Sequence, residues 1–285
     1  MRGKPILARC RAIIVLAVIA MVLSSCPGPK NGKGKTSAPA APLNAPAVTG
    51  PSAEPFPSDR AGEIKMEQLA MGTMVNYVVL GVDAGTAQAA IRAAMAEVDR
   101  LAAMMSDHRT DSELSRVNRS AGGPPVAASP ELFEVVRRAV EVSALSDGAF
   151  DVTIGAFKGL WVIRPERPRV ASEAEIRGKL PLVGWRRILL EPETQAVGLA
   201  EAGMMIDLGG IAKGYAVDEA MAIIRSKGIT IALVDGGGDM LAGDAPPGTL
   251  GWLIEKPALT PEGKPGTEKI VIKNCAIATS GATYK

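Results

Sequence analysis

Residues 207–215 carry side chains that could bind a phosphorylated ligand. The segment reads Asp-Leu-Gly-Gly-Ile-Ala-Lys-Gly-Tyr, with Asp207 at the end of a predicted strand and Lys213 in the first turn of a predicted helix. Asp207 could accept hydrogen bonds or help to hold a cation, and Lys213 could meet a phosphate or a polar ring edge. The glycines allow a ligand close to the backbone, and a helix start offers free N–H groups. The spacing matches neither a P-loop nor a dinucleotide motif, so a plain strand–turn–helix connection remains the alternative.

A second polar segment, residues 146–155, contains two carboxylates, two small hydroxyls and two glycines. Such a loop could wrap around the polar groups of a ligand. The alternative is a helix-to-strand turn that uses Asp and Gly for their turn chemistry.

Two further segments are candidates for ligand contact. Residues 106–118 form a polar run that includes His108, whose alternative interpretation is a solvated loop followed by a short helix from Ser112. Residues 235–239 read Asp-Gly-Gly-Gly-Asp. Three consecutive glycines carry an entropic cost, and either close backbone packing or ligand access would explain them.

Alternating and helical patterns predict the elements that position these segments. Helices are predicted at Thr86–Met105, from Ser129-Pro130 onward and at Ile211–Lys227, because apolar residues recur with helical spacing. Apolar and β-branched runs predict strands, which lie at Thr73–Leu80, Ile188–Glu191, Ala196–Leu199, Met204–Asp207, Ile229–Val234, Trp252–Glu255 and Ile270–Ala278. Helices mixed with hairpin-like strand pairs favour an α+β fold over a doubly wound sheet.

Composition excludes several classes of protein. The 285 residues are 47% hydrophobic and 22% charged, which is typical of a globular protein and not of a disordered one. One histidine and three cysteines exclude a multi-histidine metal site and a cysteine-rich scaffold. Outside residues 1–25 the chain has 28 basic against 30 acidic residues, a net charge of −2. Nucleic-acid binding is therefore not expected.

The N-terminal segment, residues 1–25, is predicted to be a lipoprotein signal peptide. Basic residues precede an apolar run of 12 residues, Ala12–Leu23, which is shorter than the roughly 20 residues of a transmembrane helix. Leu23-Ser24-Ser25-Cys26 follows and resembles the bacterial lipobox. We therefore expect Cys26 to become the lipid-bearing N-terminus and to anchor the protein to a membrane. An ordinary signal peptide with a chance cysteine is the alternative.

Residues 26–62 are predicted to be a linker, and residues 63–285 the folded domain. The linker holds eight of the 21 prolines and few large apolar residues, so we expect no secondary structure there. In the folded part, Cys275 is the remaining cysteine and is predicted to be a buried thiol within a strand.

Taken in order, these segments resemble the ApbE family, the FAD:protein FMN transferases. The family's motifs are matched in order by Met71-Gly72-Thr73, residues 106–118, residues 147–155 with Leu160-Trp161, residues 207–218, Gly237-Gly238-Asp239 and Ala278–Gly281. The resemblance covers about residues 66–285. It implies an ApbE-like (T-fold-like) α+β domain with mixed, largely antiparallel sheets and packed helices. Because many family members are lipoproteins, it also implies a location at the periplasmic face of a bacterial membrane.

The resemblance implies a reaction and a set of site residues. FAD is split at its pyrophosphate, FMN is joined by a phosphoester to a Thr or Ser of an acceptor protein, and AMP leaves, with Mg²⁺ assisting. Asp207 and Lys213 are implied as catalytic, and Gly210 as a metal ligand through its backbone carbonyl. His108 stands where the family usually has Tyr. The implied flavin-contacting residues are Met71, His108, Ala149, Phe150, Asp151, Asp207 and Lys213.

The sequence departs from the family pattern at its C-terminus. Family members continue past the Thr-Ser-Gly motif to further segments, one of which supplies an aspartate and a threonine to the metal, whereas this sequence ends at Lys285. The expectation is a C-terminally truncated family member. Two alternatives to the transferase follow: a non-catalytic FAD-binding lipoprotein, and an FAD pyrophosphatase that uses water as the acceptor.

Overall fold

The computed structural model describes residues 62–162, 169–259 and 265–279. The predicted signal peptide at residues 1–25, the lipid site Cys26, nearly all of the linker at residues 26–62 and the end of the domain beyond residue 279 lie outside these ranges. Among the helices within them, none combines the length and apolar character needed to cross a bilayer.

A five-stranded antiparallel sheet forms the centre of the described domain. Its strands lie in the order β1-β2-β6-β7-β10. A three-stranded antiparallel sheet, β3-β5-β4, and a two-stranded hairpin, β8-β9, accompany it. The strands are β1 Ile64–Ala70, β2 Thr73–Val79, β3 Val126–Ala127, β4 Ile188–Glu191, β5 Ala196–Leu199, β6 Ala232–Gly236, β7 Asp239–Ala242, β8 Trp252–Leu259, β9 Pro265–Ile272 and β10 Ala276–Ala278.

Side-chain caps begin two of the longer helices, and the cap at Ser129 is one that the sequence indicates. The Asp83 carboxylate accepts from the Thr86 N–H at 3.0 Å at the start of the longest helix, and the Ser129 hydroxyl accepts from the Leu132 N–H at 3.3 Å. The α-helices are α1 Ala84–Met105, α2 Glu113–Arg119, α3 Pro130–Leu145, α4 Glu173–Lys179 and α5 Ala212–Ser226, and 3₁₀ turns lie at Gly155–Phe157, Leu180–Leu182 and Trp185–Arg187.

Two apolar cores lie on opposite faces of the central sheet. On one face α1 and α5 pack against each other and against the sheet, burying Tyr77, Ile91 and Leu101 completely. On the other face Trp252 of the β8-β9 hairpin joins a cluster with Ala242 of β7 and with Leu80, which directly follows β2. The predicted α+β class with largely antiparallel sheets is confirmed.

Three strand predictions are wrong. Residues 204–207 form no strand, since Met205 makes only an isolated parallel bridge with Ile154. Residues 270–278 form two strands, broken at Asn274, which has a left-handed φ of +49°. The sixth strand begins at Ala232 and not at residue 229.

Two further differences concern single features. Strand β1 was not predicted, because its Lys, Glu and Gln residues have weak strand propensity. It is an edge strand, paired along its whole length with β2. Cys275 is half-buried and lies between β9 and β10, so the prediction of a buried thiol within a strand is wrong.

Candidate active site

Asp207 lies on an exposed turn that leads into α5. Its backbone N–H donates to the Val152 carbonyl at 2.8 Å. Its carboxylate Oδ1 accepts from the Gly209 N–H at 2.7 Å. One carboxylate oxygen therefore shapes the turn, as Asp side chains commonly do, while the residue remains exposed beside Gly209.

Lys213 projects from the first turn of α5 and is held by two oxygen atoms. Its Nζ lies 3.2 Å from Oδ2 of Asp239 and 3.4 Å from the carbonyl oxygen of Gly209. Ile211, at the N-cap position, supplies no side-chain hydrogen bond to the helix start. A positive side chain and an uncapped helix N-terminus thus lie together, an arrangement that favours an anion.

Met71 lies in the same pocket as Lys213. It occupies the two-residue turn between β1 and β2 with φ +51°, and Gly72 follows with φ +75°. A left-handed conformation is uncommon for a residue other than Gly, Asn or Asp and is frequent at functional sites. The pocket is lined by Met71, Thr73, Val75, Val98, Lys213, Ala216, Val217 and Gly236.

The glycine-rich turn between β6 and β7 packs tightly against β2. A Cβ placed on Gly237, which has φ +70°, would lie 2.1 Å from Oγ1 of Thr73. The Asp235 carboxylate accepts from the Gly238 N–H at 2.8 Å and closes the turn. For Gly237, close packing is therefore the explanation, and the turn delivers Asp239 to Lys213.

Phe150 brings the second polar segment against the start of α5. A Cβ on Gly210 would lie 2.9 Å from Cε2 of the Phe150 ring, so the residue at position 210 must be small. Ala149 is exposed next to the ring. The structure thus places Ala149 and Phe150 beside the turn that carries Asp207.

Asp151 holds its own loop together. Its Oδ1 accepts from the Thr153 N–H at 2.8 Å and from the Thr153 hydroxyl at 2.6 Å, and its Oδ2 accepts from the Trp185 N–H at 2.9 Å. These hydrogen bonds are the ones expected if residues 146–155 form a turn that uses Asp for its turn chemistry, the alternative to ligand binding. A direct contact between Asp151 and a flavin stays a prediction.

His108 lies on an exposed turn. Its side chain is 83% exposed, and its Nε2 lies 3.4 Å from the Asp107 carboxylate. Asp107 also accepts from Nζ of Lys158 at 2.7 Å. Within the described residues, no hydrogen bond or ion pair joins the His108 side chain to the other predicted site residues, so its role in flavin contact stays a prediction.

Two contacts at this site were not predicted. The pairing of Asp239 with Lys213 depends on the order of the strands, and no local pattern indicates it. The Asn118 side chain hydrogen-bonds to the backbone of Ile206, next to Asp207. The signals for Asn118 were its position at the end of the polar run 106–118 and the asparagine that ends the resembled family motif there.

Comparison with known proteins identifies the relatives of this chain. The ApbE family model matches residues 71–285. An FAD:protein FMN transferase of Vibrio cholerae is 33% identical over 229 residues, covering 78% of this chain and 66% of the relative. The FAD:protein FMN transferase of Treponema pallidum is 29% identical over 248 residues, with the same coverage. The chain thus spans just under two thirds of the length of these relatives.

Solved structures agree with the sequence matches. The flavin transferase ApbE from Vibrio cholerae superposes with a TM-score of 0.68 at 28% identity, covering 77% of this chain and 71% of that structure. The ApbE protein from Thermotoga maritima superposes with a TM-score of 0.69 at 30% identity, covering 77% and 70%. On the match over residues 71–285 and these relatives, the chain belongs to the ApbE family.

Proposed function

We propose that this protein is an FAD:protein FMN transferase. An acceptor Thr or Ser hydroxyl oxygen attacks the FMN phosphorus of FAD, a phosphoester bond forms, and the pyrophosphate bond to AMP breaks. The hydroxyl loses its proton, and AMP leaves with the electron pair of the broken bond. The observation that carries the proposal is the turn at Gly209 and Gly210, which contacts Asp207, Lys213 and Phe150, in a member of the ApbE family. Met71 lines a pocket together with Lys213.

The described residues have chemistry suited to holding FAD. The Lys213 ammonium would pair with a pyrophosphate oxygen, since charge-assisted hydrogen bonds are the strong ones. The Phe150 ring and the Met71 thioether are flat or polarisable partners for an aromatic ring system. Catalysis of phosphoryl transfer depends mainly on positioning and on neutralising charge, and both are roles these residues could fill.

The residues present fit a Mg²⁺ ion that is shared with the substrate. Among the described residues, no three His, Cys, Asp or Glu side chains group so as to hold a metal by themselves. Mg²⁺ in phosphate chemistry commonly takes one or two carboxylates plus substrate phosphates. Asp207 and the carbonyl of Gly210 would hold it. The bound ion would neutralise charge on the transferred phosphoryl group.

The test combines two measurements in one reaction. The purified protein is incubated with FAD, Mg²⁺ and an acceptor domain that the Vibrio cholerae relative flavinylates, and AMP release and covalent flavin on the acceptor are measured together. We expect both signals from the wild-type protein, loss of both in Asp207→Asn, and retention in Asp99→Asn, a matched exposed aspartate on α1.

Two other outcomes would contradict the transferase function, and each would indicate one of the two alternatives. AMP without covalent flavin on the acceptor indicates hydrolysis of FAD. Bound FAD with neither product indicates a non-catalytic flavin-binding protein.

We also propose that the protein is anchored through lipid on Cys26 at the periplasmic face of a bacterial membrane. The support is sequence alone: the lipobox-like Leu23-Ser24-Ser25-Cys26 and the proline-rich residues that follow.

A further inference from the structure

The short helix α2 is anchored at its N-terminus. The Ser112 hydroxyl accepts from the Ser115 N–H at 2.9 Å and donates to the Ser106 carbonyl at 2.5 Å. The Glu113 carboxylate accepts from the Ser129 N–H at 2.8 Å, which links α2 to the start of α3. Because Leu114 and Val117 are also buried, the helix is a fixed support for the residues at its C-terminal end.

Asn118 lies near that end. Its side-chain amide makes the two backbone hydrogen bonds with Ile206 that a neighbouring strand would make in a sheet. Its Nδ2 donates to the Ile206 carbonyl at 2.9 Å, and its Oδ1 accepts from the Ile206 N–H at 2.8 Å. Ile206 is completely buried. Without Asn118, these two backbone groups would lose their described partners away from water, which is unfavourable.

The opposite side of the same segment is held by residues 152–155. The Asp207 N–H donates to the Val152 carbonyl at 2.8 Å, and Met205 bridges to Ile154. A Cβ on Gly155 would lie 2.6 Å from the Met205 carbonyl oxygen, so the two backbones are too close for any residue other than glycine at position 155. Residues 205–207 are therefore clamped between α2 and this loop.

We propose that Asn118 is a positioning residue for Asp207. It acts through the backbone of Ile206, one residue before Asp207, and sets where the carboxylate lies relative to Lys213 and Phe150. As a statement about catalysis this rests on the transferase function proposed above.

Only a primary amide of this length satisfies both backbone groups. Asp would offer acceptors alone and would place a carboxylate oxygen against the Ile206 carbonyl. Gln carries both groups on a side chain that is one methylene longer, so it would fold with the segment displaced. Ala would leave both backbone groups unpaired.

The experiment compares Asn118→Asp and Asn118→Gln with the wild-type protein at a temperature well below each melting transition. We expect kcat to fall and the Mg²⁺ concentration for half-maximal rate to rise, each by roughly 10- to 100-fold, as found when residues behind a metal ligand are changed. FAD binding without Mg²⁺ should stay close to that of the wild type, because Lys213 and Phe150 are untouched.

Two control variants separate positioning from loss of stability. Val135→Ala truncates a fully buried residue of α3 and lowers the melting temperature without changing the hydrogen bonds of Asn118 to Ile206. Gln88→Glu repeats the amide-to-acid change on α1, where Arg92 is the partner. If either control raises the Mg²⁺ requirement as much as Asn118→Asp does, or if Asn118→Asp leaves it unchanged, the proposal is wrong.

A second readout does not depend on activity. Crystal structures of the wild type and Asn118→Gln should show the Asp207 backbone displaced, while α2 and α5 superpose. An unmoved Asp207 would overturn the positioning role even if the protein transfers FMN. If Asp207 is displaced in Asn118→Gln while the wild-type protein binds FAD and does not transfer FMN, the positioning role is upheld and the transferase function is refuted.

Discussion

At the scale of single residues, the site depends on one ammonium group and the carboxylate that holds it. Lys213 is paired with Asp239 at 3.2 Å, and both side chains are largely shielded, with 30% and 25% exposure. The pair holds the lysine ammonium in place next to the pocket that Met71 and Lys213 line. A cation fixed in place before an anion arrives loses less freedom on binding.

Lys213→Gln tests this role directly. The substitution keeps most of the side-chain length and removes the charge, so we expect FAD affinity to fall roughly 10- to 100-fold, corresponding to one charge-assisted hydrogen bond. Quenching of flavin fluorescence on titration gives the dissociation constant. Lys227→Gln, at the exposed C-terminal end of α5, is the matched control and should bind FAD as the wild type does. Equal affinities for both variants would exclude an ion pair between Lys213 and FAD.

At the scale of elements, the β6-β7 turn is built for contact with β2. Gly237 has φ +70°, and Thr73 occupies the space where a Cβ would lie. Gly248 has a similar φ of +74°, yet nothing lies within 4 Å of its Cβ position. An alanine at Gly248 would therefore introduce backbone strain alone, whereas an alanine at Gly237 would add steric overlap with Thr73.

Gly248→Ala should lower the free energy of unfolding by about 1 kcal/mol, the strain of a left-handed alanine. Gly237→Ala adds overlap with Thr73, so we expect a further loss of about 1–3 kcal/mol. It should also weaken FAD binding, since Asp239 follows on the same turn. Urea denaturation gives the free energies. If both variants lose the same free energy of unfolding, the turn can move away from β2 at no cost in stability, and the predicted steric overlap is contradicted.

Two glutamates on the helices have pKa values that are shifted in opposite directions. Glu134 on α3 accepts from Arg137 at 2.6 Å and from Arg138 at 2.6 Å, and these bonds lower its pKa from 4.5 to about 2. On α5, burial raises the pKa of Glu219, and the nearby charge of Glu97 adds to the shift. Charge on Glu134 therefore favours the folded state, while charge on Glu219 opposes it.

Replacing each by Gln should change stability in opposite directions at pH 7. Glu134→Gln should lower the melting temperature by an amount equivalent to about 1 kcal/mol or less. The difference should shrink as the pH falls from 4.5 toward 2. Glu219→Gln should raise the melting temperature at pH 7, with the effect disappearing below pH 4.5, where Glu219 is protonated in both states.

Thermal melts between pH 2 and 7 measure both effects. Glu193→Gln, exposed in the turn after β4, is the control and should follow the wild type. A change of the same sign in both helical variants would contradict the assigned surroundings.

At the scale of the whole molecule, the central sheet separates the two cores. The predicted site residues Met71 and Lys213 lie on the side of the sheet covered by α1 and α5. On the other side, Trp252 of the β8-β9 hairpin packs against Leu80, and its indole N–H donates to the Asp244 carbonyl at 2.9 Å. The hairpin thus buries the second face of the sheet on which the site is built.

Cys26→Ser tests the proposed attachment of this domain to a membrane. Several acyl chains on one residue give stable anchoring, since each buried methylene contributes about 0.8 kcal/mol. We expect the wild-type protein to incorporate labelled palmitate and to fractionate with membranes, and the variant to do neither. Cys275→Ser, which changes a half-buried thiol of the folded domain, should remain lipidated. A Cys26→Ser protein that stays in the membrane fraction would point to an uncleaved apolar anchor.

The sequence by itself determined the features that depend on neighbouring residues. Caps at Ser112 and Ser129, the β4-β5 hairpin and the turn from Asp207 into α5 all follow from local patterns, since they need only a few consecutive side chains. The same local segments carry the family's motifs, so family membership was also predictable.

Only the tertiary structure decided which of these segments meet. Asn118 and Ile206 are 88 positions apart, and their pairing made residues 204–207 a clamped segment where the pattern predicted a strand. The contact of Phe150 with Gly210 and the ion pair of Lys213 with Asp239 are likewise non-local. Local propensity cannot specify such contacts, because they depend on the order of strands in the sheet and on how closely two backbones pack.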